Sequence, residues 1–225
     1  MLYKYILKFD GGEEQVIDIQ LDPSTYTAIP REDANIPDWA LLEFGKCSIC
    51  PFTAAQHKYC PIARNLAGIT TTFSDKASTV MVDARVIAKD REYFKRLSLQ
   101  SALSSAIGLY MATSGCPRMN FLKPMAKYHL PFASLNETIY RSVSTYLLLQ
   151  YFRKKKGQEP DWDLKDLNKA YATITVLNLA IVDRIRKASQ KDANYNALII
   201  LDIFAKMVPW SIDQGLHEKD LLFRD

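Results

Sequence analysis

The sequence predicts an α+β fold: a small N-terminal β-hairpin or sheet that carries a cysteine metal site, packed on a mainly helical C-terminal bundle. Three observations support this fold class. Residues 2–9 alternate apolar and polar side chains ahead of an Asp-Gly-Gly turn, all four cysteines lie in the first 116 positions, and the stretches after residue 134 repeat apolar residues every three or four positions. Period-two alternation is typical of a half-buried strand, and the longer repeat is typical of an amphipathic helix.

The length of 225 residues is enough for one large domain or two small ones. We place a β-rich segment with the cysteine loop at 1–89 and a helical bundle at 90–225, and we expect one continuous core. Apolar residues make up 48% of the chain and charged residues 24%, which argues against a disordered or fibrous class.

The first residues lack the long apolar run of a signal peptide, and we expect no stretch to reach membrane-spanning length. The expected setting is therefore cytoplasmic, without membrane contact. Thiols stay reduced there, so the four cysteines indicate metal or redox chemistry instead of disulfides. The net charge of +4 is a modest excess, and we do not expect nucleic acid as a partner.

The N-terminal hairpin is predicted from two alternating runs that flank Asp10-Gly11-Gly12, because glycine accepts the positive φ of a tight turn. The apolar face of the first strand consists of Tyr3, Tyr5, Leu7 and Phe9, and that of the second strand consists of Ile17, Ile19 and Leu21. An irregular connector follows at 22–38. A third strand is predicted within 78–87, and its pairing partner does not follow from the sequence.

The other elements are predicted as helices from their capping residues and apolar repeats. They are a short helix at 61–69, a long helix that Asp90 begins and Gly115 ends, a short basic helix at 117–128 that Pro124 breaks or kinks, a helix at 134–156, and helices at 163–189 and 192–208. Ser134 and Glu137 form a capping box, and Pro209 is expected to end the last helix. The tail with Leu216, Leu221, Leu222 and Phe223 either docks or hangs free.

Three helix faces are expected to make contacts. The helix at 134–156 has an apolar stripe made of Tyr140, Val143, Leu147, Leu148 and Tyr151. The helix at 163–189 has a longer one made of Leu164, Leu167, Tyr171, Ile174, Leu177, Ile181 and Ile185. The helix that ends at Gly115 carries a seam of small residues, explained by close packing: Ser101, Ser104, Ser105, Gly108 and Ala112. We expect apolar helical faces to contact a protein partner or a second copy of the chain.

The four cysteines are Cys47, Cys50, Cys60 and Cys116, and the last three precede proline. Because proline is favoured at the first helical position, each of these three is expected to cap a helix or helical turn, where N–H groups stabilise a thiolate. The spacing Cys-x2-Cys-x9-Cys with a distant fourth cysteine is typical of a metal site. We predict that all four bind zinc, with an iron–sulfur cluster as the alternative cofactor.

Other interpretations stay open at this point. The four cysteines could be reduced thiols that are only buried structurally, because free cysteine is common in protein cores. His57 could replace Cys116 as the fourth ligand. Alternatively, Cys116 is a nucleophile or redox thiol with His129 as its base, although a lone histidine among apolar and aromatic residues is more often structural. The sequence does not decide whether the chain is an enzyme, because it has no glycine-rich phosphate loop, no recognisable pair of catalytic carboxylates and no nucleophile elbow.

Basic residues allow two interpretations. They are either scattered solvated cations or a surface near the cysteines that offsets thiolate charge, and the residues concerned are Arg64, Arg118, Lys123, Lys127 and Arg141. The dense run at 153–156 is expected to complement the dipole at the end of a helix.

Four segments of the chain resemble an uncharacterised bacterial family, a domain of unknown function. They are Cys47-x2-Cys50-Pro51, Tyr59-Cys60-Pro61-Ile-Ala-Arg-Asn-Leu66, Ser114-Gly115-Cys116-Pro117 and Tyr128-His129-Leu130-Pro131-Phe132-Ala133. The resemblance covers most of the chain and implies a bacterial cytoplasmic setting. It implies no substrate and no functional residues.

The residues together predict a metal-stabilised binding or regulatory module, in which zinc joins the N-terminal segment to the helical turn after Gly115. The alternative is an iron–sulfur or thiol-dependent redox enzyme. Metal content and colour separate these two functions.

Overall fold

The computed structural model describes residues 1–30 and 36–220, and its architecture is α+β, as the sequence predicts. A four-stranded antiparallel sheet lies in the N-terminal half, and helices fill most of the rest of the described chain. The predicted connector at 22–38 lies partly outside the described residues. The tail positions Leu221, Leu222 and Phe223 lie wholly outside them.

The predicted hairpin is confirmed. Strands β1 (Leu2–Phe9) and β2 (Glu14–Gln20) are antiparallel, with Tyr5 opposite Ile17. The alternating apolar face of both strands is buried. Gly12 in the turn has a φ of +86°, a conformation that glycine adopts at little cost.

Strand β3 (Met81–Ile87) confirms the third predicted strand, and its partner is β1. A fourth strand, β4 (Glu92–Ser98), lies on its other side, so the sheet order is β2-β1-β3-β4 and every neighbouring pair is antiparallel. The inward side chains of β3 are fully buried: Val82, Ala84 and Val86.

The prediction that Asp90 begins a long helix is wrong. The chain forms β4 first, and helix α2 begins at Leu99 and ends at Ala112. Most side chains of this edge strand are exposed, Phe94 among them, so the strand lacks the alternation that identifies a half-buried one. Backbone hydrogen bonds to β3 stabilise β4 in place of side-chain burial.

The remaining helices largely follow the predicted order. They are α1 (Pro61–Thr72), α3 (Lys123–Lys127), α4 (Leu135–Lys155), α5 (Lys165–Ala188), α6 (Ala193–Asp213) and α7 (His217–Asp220). The capping box of α4 is confirmed, because Ser134 Oγ accepts from the Glu137 N–H and the Glu137 carboxylate accepts from the Ser134 N–H. Pro117–Leu122 is a 3₁₀ turn, and Pro124 lies in the first turn of α3 instead of breaking a helix.

Pro209 does not end α6, contrary to the prediction. The helix continues to Asp213 with Pro209 inside it. A proline in a helix interior costs about 3 kcal/mol relative to alanine. Burial of the α6 face that carries Ala197, Leu198, Ala205 and Val208 offsets that cost.

The same helix corrects a second expectation. By length and composition α6 could cross a membrane, and it is the one helix among the described residues that passes this test. Only 28% of its most apolar window is buried. Apolar core helices pass the same test, so this property alone is weak evidence for a membrane span.

The apolar stripe predicted for α4 is mostly exposed. Of its five residues only Val143 is buried, and Leu148 is 56% exposed. Leu149 and Phe152 are also exposed on this helix, whereas the stripe of α5 is buried along its whole length. We define the α4 face as its exposed apolar residues: Tyr140, Leu147, Leu148, Leu149, Tyr151 and Phe152.

One cluster of buried side chains joins the sheet to the helices. Helix α2 contacts the sheet, α1 and α6, and α6 packs along α5. Leu99, Leu103 and Ile107 of α2 are fully buried in that position. This arrangement leaves two separate cavities, one lined by the cysteines and one lined by the small residues of α2.

Candidate functional site

Two of the cysteines cap helical turns, as predicted. Cys60 is the N-cap of α1 with Pro61 at its first position, and Cys116 is the N-cap of the 3₁₀ turn that Pro117 begins. Cys50 differs, because no helix follows Pro51. Instead the Cys50 N–H donates to the Cys47 carbonyl at 3.0 Å, which closes a tight turn and holds these two residues together.

A short ladder closes the loop that carries the first three cysteines. Leu41 and Tyr59 form an antiparallel bridge, the Leu42 N–H donates to the Lys58 carbonyl at 2.9 Å, and the Cys60 N–H donates to the Ala40 carbonyl at 2.9 Å. The loop between these two bridged segments therefore returns on itself, which brings the turn at Cys47 and Cys50 back toward Cys60.

All four cysteines line one small cavity. Its volume is about 20 Å³, and its other wall is formed by Leu177, Ala180, Ile181 and Arg184 of α5. A space of this size accommodates about one water-sized particle. Every cysteine is free, Cys116 is buried and the other three are half-buried.

Burial raises the pKa of the Cys116 thiol to about 11, and burial also raises the pKa of Cys47. The neighbouring cysteine sulfurs add to both shifts, since each disfavours a second negative charge nearby. Backbone N–H groups act in the opposite direction, from Arg118 to the Cys116 sulfur and from Ile49 to the Cys47 sulfur. Such donors stabilise a thiolate once it forms.

Arg184 lies in the wall of the same cavity, and no sequence motif indicates it. Its side chain is only 2% exposed, and its guanidinium donates to three backbone carbonyls of the segment before Cys47, those of Trp39, Leu41 and Leu42, at 2.7–2.9 Å. Among the described residues, its Nε–H has no hydrogen-bond partner and no carboxylate forms an ion pair with it. Burial lowers the pKa of Arg184, and the neighbouring sulfurs of Cys60, Cys47 and Cys50 act in the opposite direction. A buried, unpaired cation thus lines the thiol cavity.

Most of the other predicted site residues lie elsewhere. The ring of His57 lies against Phe52 with 3.9 Å between centroids and a tilt of 41°, and it does not line the cavity. Of the five basic residues considered, Arg118 reaches the cysteine loop, where its Nε donates to the Ile49 carbonyl at 3.2 Å. Lys123 donates instead to Thr27, and Arg141 donates to backbone carbonyls beside the second cavity. Arg64 lines a third cavity, and Lys127 lies over the rings of Tyr26 and Tyr128. The cations placed beside the cysteines are thus Arg118 on the loop, with Arg184 and Lys46 in the cavity wall.

Cys116 and His129 line different cavities, which argues against their acting as nucleophile and base. His129 Nε2 contacts Tyr5 Oη at 2.5 Å and Ser105 Oγ at 3.5 Å. Burial, followed by the charge of Arg141, lowers the pKa of His129 to about 3, so the imidazole is neutral at physiological pH. A neutral ring held by a tyrosine and a serine fits the structural interpretation.

Within residues 1–30 and 36–220, no group of three or more His, Cys, Asp or Glu side chains is arranged to hold a metal ion. The cavity presents neighbouring thiols and not a formed ligand sphere. Metal binding there requires deprotonation and reorientation of the thiols.

The fold and the cavity define an α+β protein whose cysteines gather between a loop and a long helix. The chain belongs to the family described as Domain of unknown function (DUF6901), whose model matches residues 1–224. No curated protein and no solved structure matches the chain significantly. The family description gives no function, so any function must be argued from the residues.

Proposed function

We propose that the chain is a metal-stabilised binding or regulatory module in which Cys47, Cys50, Cys60 and Cys116 bind one zinc ion. The observation that carries this proposal is the meeting of four thiols from distant parts of the sequence at one cavity the size of a single ion. Tetrahedral coordination by four cysteines is a common structural zinc site.

The charge of the surroundings supports an anionic occupant. Zinc with four thiolates carries a net charge of −2, and Arg184 supplies a buried positive charge with an open Nε–H donor beside the cavity. A buried cation without a partner is strongly unfavourable, so a negatively charged centre would offset the cost of burying this one. Neutral thiols alone do not supply that charge.

The alternative cofactor is an iron–sulfur cluster, which also uses four cysteines and would make the chain a redox enzyme. The cavity volume favours zinc, because about 20 Å³ suits one ion better than a cluster of several iron and sulfide atoms. A thiol-dependent redox enzyme with Cys116 as nucleophile is less supported, since burial raises the pKa of this thiol to about 11.

In this proposal the metal fixes the loop between Leu41 and Tyr59 against α5, and the module works by contact with another protein. The α4 face is the proposed contact surface, and a second copy of the chain is the proposed partner. We propose a cytoplasmic location, because a site of four cysteine ligands needs thiols that stay reduced.

Metal analysis of protein purified without oxygen tests the metal site. We expect a colourless protein with about one zinc per chain, and less than a tenth of that zinc in the variants Cys60→Ser and Cys116→Ser. Ser48→Ala, which changes the same loop without removing a thiol, is the matched control and should retain zinc. Brown protein that contains iron and sulfide would support the iron–sulfur cluster in place of zinc. Wild-type protein without metal would refute both cofactors.

A further inference from the structure

A second and much larger cavity shares no lining residue with the cysteine cavity. Its volume is about 330 Å³, and it lies between α2, α6, the start of α4 and the segment before α4. Binding pockets for small molecules have volumes of this order. Cys47, Cys50, Cys60 and Cys116 take no part in this cavity, so it is separate from the proposed metal site.

The floor of the cavity is the seam of small residues on α2. Packing explains part of this seam, since a Cβ on Gly108 would lie 3.2 Å from Leu201 Cδ2 of α6. The remaining seam residues line open space, which the short side chains of Ser101, Ser104 and Ala112 leave beside the helix. Leucine, phenylalanine and isoleucine side chains form much of the other walls, including Leu97, Phe132 and Ile200. The interior thus suits a hydrocarbon group.

The polar end of the cavity contains a connected set of hydrogen bonds. The Phe132 N–H donates to Ser105 Oγ at 3.2 Å, Ser105 Oγ lies 3.0 Å from Tyr5 Oη, and Tyr5 Oη lies 2.5 Å from His129 Nε2. Because the Phe132 N–H can only donate, Ser105 Oγ accepts from it and can donate its own proton to Tyr5 Oη. Tyr5 Oη can then donate to His129 Nε2, so that Nε2 is an acceptor. The neutral ring then carries its proton on Nδ1, for which no partner exists among the described residues.

Arg141 supplies a cation at the same end. Its Nη2 donates to the carbonyls of Met125 and Tyr128 at 2.9 and 2.8 Å, which fixes the guanidinium in the cavity wall. Its Nε and Nη1 make no hydrogen bond within the described residues, and it forms no ion pair there. Glu137 acts on this charge through space, but its carboxylate is held by Ser134 in the capping box.

Lys95 also lines the cavity, and none of the described residues that line it is Asp or Glu. A site with an apolar interior, two cations and one neutral N–H donor complements an apolar molecule with a single negative charge. A doubly charged phosphate would need more donors, of the kind that a glycine-rich loop or a long helix N-terminus provides.

We propose that this cavity binds a small aliphatic monocarboxylate, with its carboxylate on Arg141 and His129 and its hydrocarbon chain along the small residues of α2. At about 30 Å³ for each water-sized group, the volume holds roughly eleven such groups, which matches a chain of about eight carbons. The guanidinium is suited to this role because its planar N–H groups match the two oxygens of a carboxylate.

Isothermal titration of the full chain with octanoate, 1-octanol and octylammonium tests this proposal. We expect saturable binding of one octanoate per chain, at least tenfold weaker binding of 1-octanol, and no binding of octylammonium. Arg141→Gln should weaken octanoate binding by at least tenfold, since a hydrogen bond to a charged group contributes on that scale. Arg91→Gln, an exposed arginine outside the cavity, is the control and should leave the affinity unchanged.

Two further variants keep the test decisive if Arg141→Gln does not fold. Lys95→Gln should weaken octanoate binding severalfold without altering the buried structure, and Ser101→Leu should abolish it by filling the cavity. Absence of saturable octanoate binding, or equal affinity for octanoate and octylammonium, would overturn the proposal. Zinc content would be unaffected in either case, so this result is independent of the cysteine site.

Discussion

Arg184, which is buried, and Arg141, which is half-buried, donate to backbone carbonyls and form no ion pair with a described residue. Each lies in the wall of one cavity, and each has N–H groups that make no hydrogen bond to a described residue. A guanidinium remains charged even when burial lowers its pKa, so each cavity acquires a preference for a negative occupant. The sequence has 29 lysines and arginines, and nothing in their spacing marks one of them as buried.

His129 makes the folded chain sensitive to acid. Burial, with a smaller contribution from Arg141, lowers its pKa from 6.5 to about 3, while the unfolded chain keeps the ordinary value. The unfolded state therefore binds a proton below pH 6.5 that the folded state does not bind, and stability falls as pH falls from 6.5 toward 3. Between pH 7 and pH 5, His129 lowers the free energy of unfolding by about 2 kcal/mol.

Urea unfolding of wild type and His129→Gln at pH 7 and pH 5 measures this loss. We expect the wild type to lose about 2 kcal/mol more than the variant over this range, because only the wild type carries the imidazole. Tyr3, Tyr5, Ser105 and Arg141 surround the ring in both proteins, so other titrations cancel in the difference. Equal losses in the two proteins would contradict a buried neutral histidine.

The sequence predicts the secondary-structure elements that have an apolar face in the core and a polar face in solvent. The hairpin, β3 and the buried stripe of α5 are of this kind, and all are confirmed. Strand β4 was missed because its stability comes from the backbone ladder to β3, which leaves no pattern in the side chains. The end of α6 was misplaced because its packing outweighs the local effect of Pro209.

The exposure of the apolar stripe on α4 does not follow from the sequence. Its residues were recognised, but a sequence does not say whether an apolar face lies against the same chain or another one. A contiguous exposed apolar face on a single helix is typical of an interaction surface. The seam on α2 is similar, since helical spacing shows which small residues share a face but not that some of them border a cavity.

We expect the α4 face to mediate self-association. The double variant Leu148→Glu and Phe152→Glu, which changes side chains that are 56% and 52% exposed, should convert a dimer into a monomer without loss of stability. Leu179→Glu on α5, another exposed leucine outside this face, is the matched control and should remain dimeric. Sedimentation equilibrium decides the outcome, and a wild-type protein that is monomeric at about 100 µM would contradict the prediction.

At the scale of the whole molecule, the cysteine cavity connects two regions that are far apart in sequence. The loop between Leu41 and Tyr59 is anchored on α5 through Arg184, and the turn after Gly115 leads from α2 into the second half of the chain. The sequence identified the four cysteines and two of their capping positions. It did not identify α5 as the opposing wall, because that contact depends on tertiary packing of residues more than sixty positions away from Cys116.

Removal of the proposed zinc should therefore loosen one region of the molecule and lower the stability of the whole. A ligand present at a thousand times its Kd stabilises the folded state by about 4 kcal/mol, which corresponds to roughly 10 °C in Tm for a chain of this length. The core of sheet, α2, α5 and α6 consists of buried apolar side chains that do not depend on the metal, so the metal-free chain should still fold.

Calorimetry and hydrogen exchange before and after treatment with a zinc chelator measure both effects. We expect Tm to fall by roughly 10 °C and to recover on adding zinc, because binding to the folded state alone raises stability by mass action. Exchange should quicken in the loop between Leu41 and Tyr59 and in the Pro117–Leu122 turn, while β1 and β3 keep their protection. Cys60→Ser should show the low Tm without chelator. An unchanged Tm together with unchanged exchange in the loop would contradict a structural role for metal, since the loop and the turn would then be held by Arg184 and apolar packing alone.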